Sequence, residues 1–380
     1  MARSDAVLEY IQSVVYGRRR GATASVALLA LRGLSAAYRL GLRLYLAPFE
    51  LGVRPRRHLP CPVVSIGNLT VGGTGKTPVT RYLCEGLLRR GWRPAVLSYG
   101  YGGSLGGRFG VVSTSDRVLL APQEAGDEPV MLASQLPGTP VLVGKDRGRS
   151  GKHAVERFGA DIAVLDDGFQ VWKLHRDLDI VLVDGSNPFD NSRTLPAGKL
   201  REPAAALRRA RCIVAMGVRP EEEVCKGLVA KVLQIAPGAS MFCARYVPHA
   251  LFAIGDGAEV ELGAIRGQNV FAFCSIANPS SFGRTLEEAG AVIVGKEHFP
   301  DHYRYAPADI SHIEENARAS AARFVVTTEK DGVKLKNVRM KLPLLTLEIR
   351  LLLDEEPEFW RIVEDALTAC SAVRSDGRNV

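Results

Sequence analysis

The sequence predicts an α/β protein with a doubly wound, mainly parallel sheet and a second, smaller α/β unit towards its C-terminus. Short apolar segments typical of buried strands alternate along the chain with longer segments of helical periodicity. The first of these strands is followed at once by a glycine-rich segment and then by a helical pattern. Because ligands of such sheets bind at the carboxyl ends of the strands, we expect functional residues directly after them.

The predicted strands of the larger unit are apolar and short, and polar or glycine-rich residues follow several of them. They span residues 62–66, 94–98, 140–143, 162–165, 180–183 and 212–215. The second unit is predicted to contain strands 269–273, 291–294 and 323–327, with helices 281–289 and 307–319. This pattern divides the chain into an N-terminal segment 1–58, a main domain 59–240, a linker 241–266 and a smaller domain 267–380.

A candidate phosphate-binding loop lies between the first strand and the first helix of the main domain. Its residues are Thr70, Val71, Gly72, Gly73, Thr74, Gly75, Lys76 and Thr77. The three glycines allow backbone N–H groups to approach phosphate oxygens. Lys76 could reach the β- and γ-phosphates, and the Thr77 hydroxyl could bind Mg²⁺. The order of elements therefore predicts a nucleoside triphosphate ligand, although the strict motif has glycine where Thr70 stands, and a simple glycine-rich turn is the alternative.

Composition places the chain among ordinary folded proteins and excludes two kinds of stabilised scaffold. The 380 residues are 46% hydrophobic and 24% charged. The 7 cysteines are scattered, odd in number and form no CxxC pair, so neither a disulfide framework nor a zinc site is indicated. A reducing compartment is therefore favoured.

The positive charge is concentrated at the N-terminus. Residues 1–58 contain ten arginines and three acidic residues, a net +7 out of +8 for the whole chain. Within them the apolar segment 22–47 is interrupted by Arg32, Arg39 and Arg43, which share one stripe of a helix at about 100° per residue. A spanning helix seldom carries three central arginines, so we expect an amphipathic helix that lies in an anionic bilayer surface. The alternative is a helix packed on the protein's own core.

Acidic residues follow two of the predicted elements. Asp166 and Asp167 end an apolar strand, an arrangement that holds Mg²⁺ opposite a phosphate-loop threonine, although one of them could instead cap the next turn. Asp127 precedes a helical segment, where an N-cap role is the ordinary explanation. The segment 298–303 contains two histidines, and these residues alone leave a catalytic role and a surface turn equally open.

Six segments together resemble the tetraacyldisaccharide 4'-kinase family of lipid A biosynthesis, in order from about residue 60 to 343. They are residues 67–78, 126–129, 166–170, 195–203, 299–302 and 328–331. The resemblance implies transfer of the γ-phosphate of ATP to the 4'-hydroxyl of a tetraacylated glucosamine disaccharide. It places the enzyme at the cytoplasmic face of the inner membrane of Gram-negative bacteria, docked through its N-terminal helix. Neither a nucleic acid nor an obligate protein partner is expected.

The resemblance also implies roles for individual residues. Asp127 corresponds to the family's general base and His302 to its histidine partner. The residues expected to bind ATP are those at positions 70–77, with Mg²⁺ held by Thr77, Asp166 and Asp167. The positions that resemble substrate-binding residues are Arg147, Arg201 and Glu202.

The sequence departs from the family pattern in places, and other functions compete with the kinase. Tyr99 stands where an arginine is usual, Val171 where a histidine is common, and Ala277 where glycine is expected. A P-loop GTPase of the metallochaperone or partitioning type would have its signature lysine at Val71 and a guanine-reading motif that residues 328–331 do not match. A membrane-tethered nucleotide sensor without catalysis would require purely structural roles for the three aspartates.

Overall fold

The computed structural model describes residues 10–11, 13–72, 75–276, 278–301, 303–335 and 337–375 of the chain. The helices are α1 Ala22–Glu50, α2 Lys76–Arg89, α3 Pro122–Ala125, α4 Asp127–Gln135, α5 Arg147–Phe158, α6 Glu223–Ile235, α7 Pro279–Glu288, α8 Pro307–Ala319, α9 Glu329–Gly332 and α10 Glu356–Ser375. The strands are β1 Val63–Asn68, β2 Pro94–Ser98, β3 Gly110–Ser113, β4 Val141–Val143, β5 Ile162–Asp166, β6 Leu178–Asp184, β7 Cys212–Met216, β8 Ser240–Ala253, β9 Glu259–Val260, β10 Asn269–Cys274, β11 Val292–His298, β12 Phe324–Thr328 and β13 Leu344–Leu353.

The strands form a single mixed sheet in the order β11-β10-β12-β13-β8-β7-β6-β1-β5-β2-β4-β3, with β9 paired to β8. Pairing is parallel except for β3 with β4 and for β8 with β9 and β13. Strands β1, β2, β5 and β7 are buried along their whole length, as expected when helices cover both faces of a parallel sheet. The strand order reverses at β1, so its carboxyl end is the switch point where ligands are expected.

Helices α2 and α10 cover one face of the sheet beside β1. Leu83 and Leu87 of α2 belong to the same buried apolar cluster as Phe359 and Val363 of α10. Their close contact depends on Gly86, because a Cβ there would lie 1.9 Å from the Trp360 ring. The packing fixes the axis of α2 and thereby the position of the glycine-rich segment that precedes it.

Residues 241–266, expected to connect two separate units, instead contain most of β8, all of β9 and a short 3-10 helix. Strand β8 pairs with β7 on one side and antiparallel with β13 on the other, so one sheet continues from the main unit into the second. The segment lacks helical periodicity because it is β-structure. The division of the chain into independent domains stays a prediction.

Helix α1 uses only a narrow face to contact the rest of the protein. Leu46 and Phe49 pack on Trp172, and the Ser35 hydroxyl lies 2.9 Å from the Thr194 carbonyl oxygen. The rest of the helix is largely exposed, including Leu44, of which 67% is exposed. In the part of the chain that the structure describes, no helix combines the length and hydropathy needed to cross a membrane. The bilayer role of α1 remains a prediction.

Candidate active site

A cleft of about 1120 Å³ opens at the carboxyl ends of the central strands. It extends from α1 across the glycine-rich segment to α7, α9 and β13. Residues from the predicted sites that line it are Val71, Gly72, Gly75, Lys76, Thr77, Asp167, Arg201 and Glu202. The fold thus brings together side chains that are as much as 131 positions apart in the sequence, as the parallel topology predicts.

The glycine-rich segment joins the end of β1 to the start of α2. Gly75 precedes the helix with a positive φ of 77°, and Lys76 is the first helical residue. The Val71 N–H donates to the Lys199 carbonyl oxygen at 2.8 Å, which ties the segment to residues 194–201. Gly73 and Thr74 lie outside the described residues. The N-terminus of α2 therefore faces the cleft, where its N–H groups favour an anion.

Asp166 is a buried carboxylate at the end of β5, with 2% of the residue exposed. It accepts hydrogen bonds from Ser98 Oγ at 3.1 Å and from Thr80 Oγ1 at 3.4 Å. Burial, together with the negative charges of Glu128 and Asp167, raises the pKa of Asp166 to about 6. The excess negative charge at this point suits a bound cation.

Asp167 has the opposite electrostatic environment from its neighbour. Its backbone adopts a positive φ of 56°, and its carboxylate accepts from Arg201 Nη1 at 2.9 and 3.0 Å. Lys76 Nζ lies 3.6 Å from Asp167 Oδ1. Burial alone would raise the pKa of Asp167, but Lys76 and Arg201 outweigh burial and lower it. Asp167 therefore stays ionised beside the phosphate-loop lysine.

The oxygen ligands present fit a magnesium ion better than a softer metal. Thr77 is the second residue of α2, lines the cleft and is 6% exposed. Its hydroxyl and the carboxylates of Asp166 and Asp167 are the hard oxygen donors that Mg²⁺ prefers. Within the described ranges no group of three or more His, Cys, Asp or Glu residues could hold a metal by itself. An ion here would take its remaining ligands from nucleotide phosphates and water.

Asp127 is the first residue of α4 and does not cap that helix. The N-cap is Gly126, whose φ of 95° and close approach to the Tyr101 carbonyl leave no room for a side chain. The Asp127 carboxylate instead lies beside a buried ammonium, with 3.4 Å between its Oδ2 and Lys334 Nζ. Its expected partner, His302, lies outside the described residues. The N-cap explanation offered by the sequence is therefore wrong for Asp127.

Glu128, next to Asp127, lines the cleft and is paired with Lys330 at 3.2 Å. Lys330 also contacts Asp301 Oδ1 at 2.9 Å. Burial lowers the pKa of Lys330, but the two carboxylates outweigh burial and raise it, so the ammonium stays charged. Lys330 and Lys334 were given no role from the sequence. The family-like segment 328–331 contains Lys330 and ends three positions before Lys334, and it was the signal that could have drawn attention to this region.

The three predicted substrate-binding residues have different surroundings. Arg147 is 4% exposed and donates to the Gly144 carbonyl, and its Nε has no hydrogen-bond partner among the described residues. Burial lowers the pKa of Arg147 to about 10. Glu202 is 1% exposed and forms two hydrogen bonds with Arg209, at 2.8 and 3.0 Å. Arg201 is the one of the three whose guanidinium contacts Asp167.

Comparison with known proteins gives consistent matches over most of the chain. The model of the family LpxK, tetraacyldisaccharide-1-P 4'-kinase, matches residues 27–368. The tetraacyldisaccharide 4'-kinase of Syntrophus aciditrophicus is 39% identical over 343 residues, covering 88% of this chain and 92% of that protein. The enzyme of the same name from Geobacter sulfurreducens is 42% identical over 322 residues, covering 84% and 87%.

A solved structure has the same architecture. The crystal structure of LpxK from Aquifex aeolicus in complex with ATP superposes with a TM-score of 0.72 at 29% identity, covering 90% of this chain and 99% of that one. The likeness confirms the predicted α/β fold with its doubly wound sheet. Because the family model covers nearly the whole sequence and relatives of about 40% identity agree with it, the chain belongs to the tetraacyldisaccharide-1-P 4'-kinase family.

Proposed function

We propose that this chain transfers the γ-phosphate of ATP to the 4'-hydroxyl of a tetraacylated glucosamine disaccharide 1-phosphate in lipid A biosynthesis. The observation that carries the proposal is the arrangement of charged groups in and beside one cleft. Lys76 and Asp167 line the cleft, with 3.6 Å between ammonium and carboxylate, and Asp166 at the end of β5 directly precedes Asp167. Asp127 begins α4 directly before Glu128, which also lines the cleft. A phosphate cradle, a cation site and a base are the parts that phosphoryl transfer requires.

Lys76 stabilises the negative charge that develops on the transferred group. Its side chain is 11% exposed and its ammonium is held by Asp167 near the start of α2, so little reorganisation is needed when phosphate enters. Mg²⁺, held by the Thr77 hydroxyl and the acidic pair, would neutralise the charge of the β- and γ-phosphates. Lys76 and the N-terminus of α2 orient the triphosphate for in-line attack.

Asp127 accepts the proton of the sugar hydroxyl while the hydroxyl oxygen forms a bond to the γ-phosphorus. The bond from that phosphorus to the bridging oxygen breaks, and ADP leaves with both electrons. An orienting imidazole from His302 would hold the carboxylate towards the nucleophile. Lys334 lies beside Asp127 and would hold its carboxylate in place through their 3.4 Å contact.

Arg147, Arg201 and Glu202 are proposed to shape the substrate side of the cleft. Arg201 and Glu202 line it directly. Arg147 lies behind the Tyr99 ring, 5.8 Å from its centroid, and keeps an N–H without a described protein partner. A guanidinium of this kind can bind a phosphate oxygen of the substrate.

The enzyme is proposed to work at the cytoplasmic face of the bacterial inner membrane, where an acylated substrate resides. Leu29, Leu40 and Leu44 of α1 are exposed by 70%, 60% and 67%, next to exposed arginines on the same helix. Apolar side chains flanked by arginines suit insertion between anionic head groups. Tyr38, Leu42 and Tyr45 of this helix also line the cleft, which brings the membrane surface close to the site of transfer.

The test is to compare ATP and GTP turnover with and without the acylated disaccharide 1-phosphate. We expect phosphate transfer from ATP that depends on the disaccharide, with GTP a poor donor. A disaccharide that already carries the 4'-phosphate is the matched control and should accept none. GTP hydrolysis without any disaccharide would support a GTPase instead, and no turnover would support a nucleotide sensor.

A further inference from the structure

Strand β8 reaches beyond the carboxyl edge of the sheet and extends over the glycine-rich segment. Its pairing with β7 ends at Ala244, which is opposite Met216, whereas its pairing with β13 continues to Ala253. Tyr246 is therefore two residues past the last contact with β7 and lines the cleft. This placement brings a side chain from the junction between the two units to the nucleotide side of the cleft.

The Tyr246 hydroxyl donates a hydrogen bond of 2.7 Å to the carbonyl oxygen of Gly75. The contact is possible only because residue 75 lacks a side chain, since a Cβ there would lie 1.8 Å from Tyr246 Oη. Burial raises the pKa of the Tyr246 phenol, so the hydroxyl stays protonated and can donate throughout the physiological range. The lack of a side chain at residue 75 thus permits both the positive φ before α2 and the close approach of the Tyr246 ring.

The peptide that joins Gly75 to Lys76 is planar and trans, so its carbonyl and its N–H point in opposite directions. A donor that holds the Gly75 carbonyl on the protein side directs the Lys76 N–H towards the phosphates. A carbonyl oxygen has two lone pairs, so the hydrogen bond from Tyr246 leaves the other lone pair available to the first turn of α2. Glycine-rich segments are conformationally free, and this bond reduces the freedom that is lost when ATP binds.

We infer that Tyr246 is a positioning residue for the nucleotide, which preorganises the phosphate-binding loop through the Gly75 carbonyl. The inference rests on the proposed use of this loop for ATP. It predicts an effect on ATP and none on the acceptor lipid, because the hydroxyl contacts the loop and not the substrate side of the cleft. The junction strand β8 would then contribute to nucleotide binding by the main unit.

The test is the Tyr246→Phe variant, which removes one oxygen and keeps the ring. One hydrogen bond is expected to change the Kd of ATP about threefold to tenfold, measured by titration without lipid. The KM for ATP should rise in parallel, while kcat and the KM for the acylated disaccharide stay near the wild-type values. Tyr82→Phe is the matched control and should leave ATP binding unchanged. The Tyr82 hydroxyl of α2 donates a hydrogen bond of 2.7 Å to Glu356 of α10, away from the phosphate loop.

A second variant, Tyr246→Leu, removes the ring as well and should weaken ATP binding at least as much as Tyr246→Phe does. An unchanged Kd for ATP in a folded Tyr246→Phe protein would overturn the inference. Weaker ATP binding in Tyr246→Leu alone would do the same, because it would assign the effect to ring packing. A wild-type protein that failed to phosphorylate the disaccharide would contradict the proposed function, yet the ATP titrations would still decide the role of Tyr246.

Discussion

Lys334 Nζ lies 3.4 Å from Asp127 Oδ2, which joins the segment after α9 to the start of α4. The same ammonium is 3.1 Å from Asp331 Oδ1 and 3.0 Å from Ser275 Oγ, and 8% of its side chain is exposed. A cation buried among these groups stabilises the ionised form of a neighbouring carboxylate. Asp127 is thereby supplied with a fixed orientation from a residue 207 positions later in the sequence.

Lys334→Met is expected to lower kcat by about tenfold to a hundredfold, since a general base typically contributes at least that much. The Kd of ATP should change little, because Lys334 forms no ion pair or hydrogen bond with the described residues of the phosphate loop. Lys334→Arg keeps the positive charge and should retain more activity than the methionine variant. Melting temperatures must accompany the kinetics, because Asp331 is fully buried and loses its cation in Lys334→Met. Equal kcat in wild type and a folded Lys334→Met protein would contradict the pairing's role.

Asp127 and His302 are predicted to act as one unit. Alanine at either position should remove most of the turnover, and the double variant should lose little more than the worse single variant. Steady-state kcat/KM for all four proteins measures this. If the loss of kcat/KM in the double variant equalled the product of the two single losses, Asp127 and His302 would have separate roles, which would contradict the prediction.

Lys76→Ala should reduce kcat by at least about a hundredfold without unfolding the protein. The fold should survive because Asp167, which loses its contact with the ammonium, keeps both hydrogen bonds from Arg201. Circular dichroism and a melting curve check the fold, and phosphate transfer to the disaccharide checks the activity. Wild-type turnover in the folded variant would refute the assignment of the phosphate loop.

Local sequence patterns predicted the strands of the parallel sheet well. The predicted strand 94–98 coincides with β2, and the helix predicted at 307–319 coincides with α8. Continuous apolar segments mark strands that are buried on both faces, and this signal is strong in the centre of a parallel sheet. Strands β8 and β13 were missed because neither has a regular alternation of buried and exposed residues, and because they pair antiparallel across a long separation, for which the sequence holds no local signal.

The candidate site was predictable where residues follow strands or belong to a motif. Lys76, Asp166 and Asp167 were predicted as site residues, and the contact between Lys76 and Asp167 is expected because β1 and β5 are neighbours in the sheet. The hydrogen bond from Tyr246 to Gly75 and the ion pair between Lys334 and Asp127 could not be predicted from periodicity or spacing. They are tertiary contacts across 171 and 207 positions, respectively. Such contacts are set by the packing of whole elements.

The exposed apolar face of α1 is expected to bind the membrane surface. Deletion of residues 1–47 should therefore release the protein from membranes and raise the apparent KM for a bilayer-embedded substrate. The structure shows that this deletion would also remove Ser35 and Leu46, which contact Thr194 and Trp172. Point substitutions on the exposed face separate membrane binding from this internal packing.

Changing Leu29, Leu40 and Leu44 together to glutamine should therefore abolish flotation with anionic vesicles and leave the Kd of ATP unchanged, since each buried leucine contributes about 1.5 to 3 kcal/mol. Changing Arg32, Arg39 and Arg43 to glutamine should weaken vesicle binding up to about a hundredfold at low salt, at about 1 kcal/mol per arginine. Higher salt should weaken vesicle binding by the wild type towards that of the arginine variant, because screening reduces the same electrostatic attraction. Equal flotation of the wild type and both variants would mean that α1 serves only the protein's own packing.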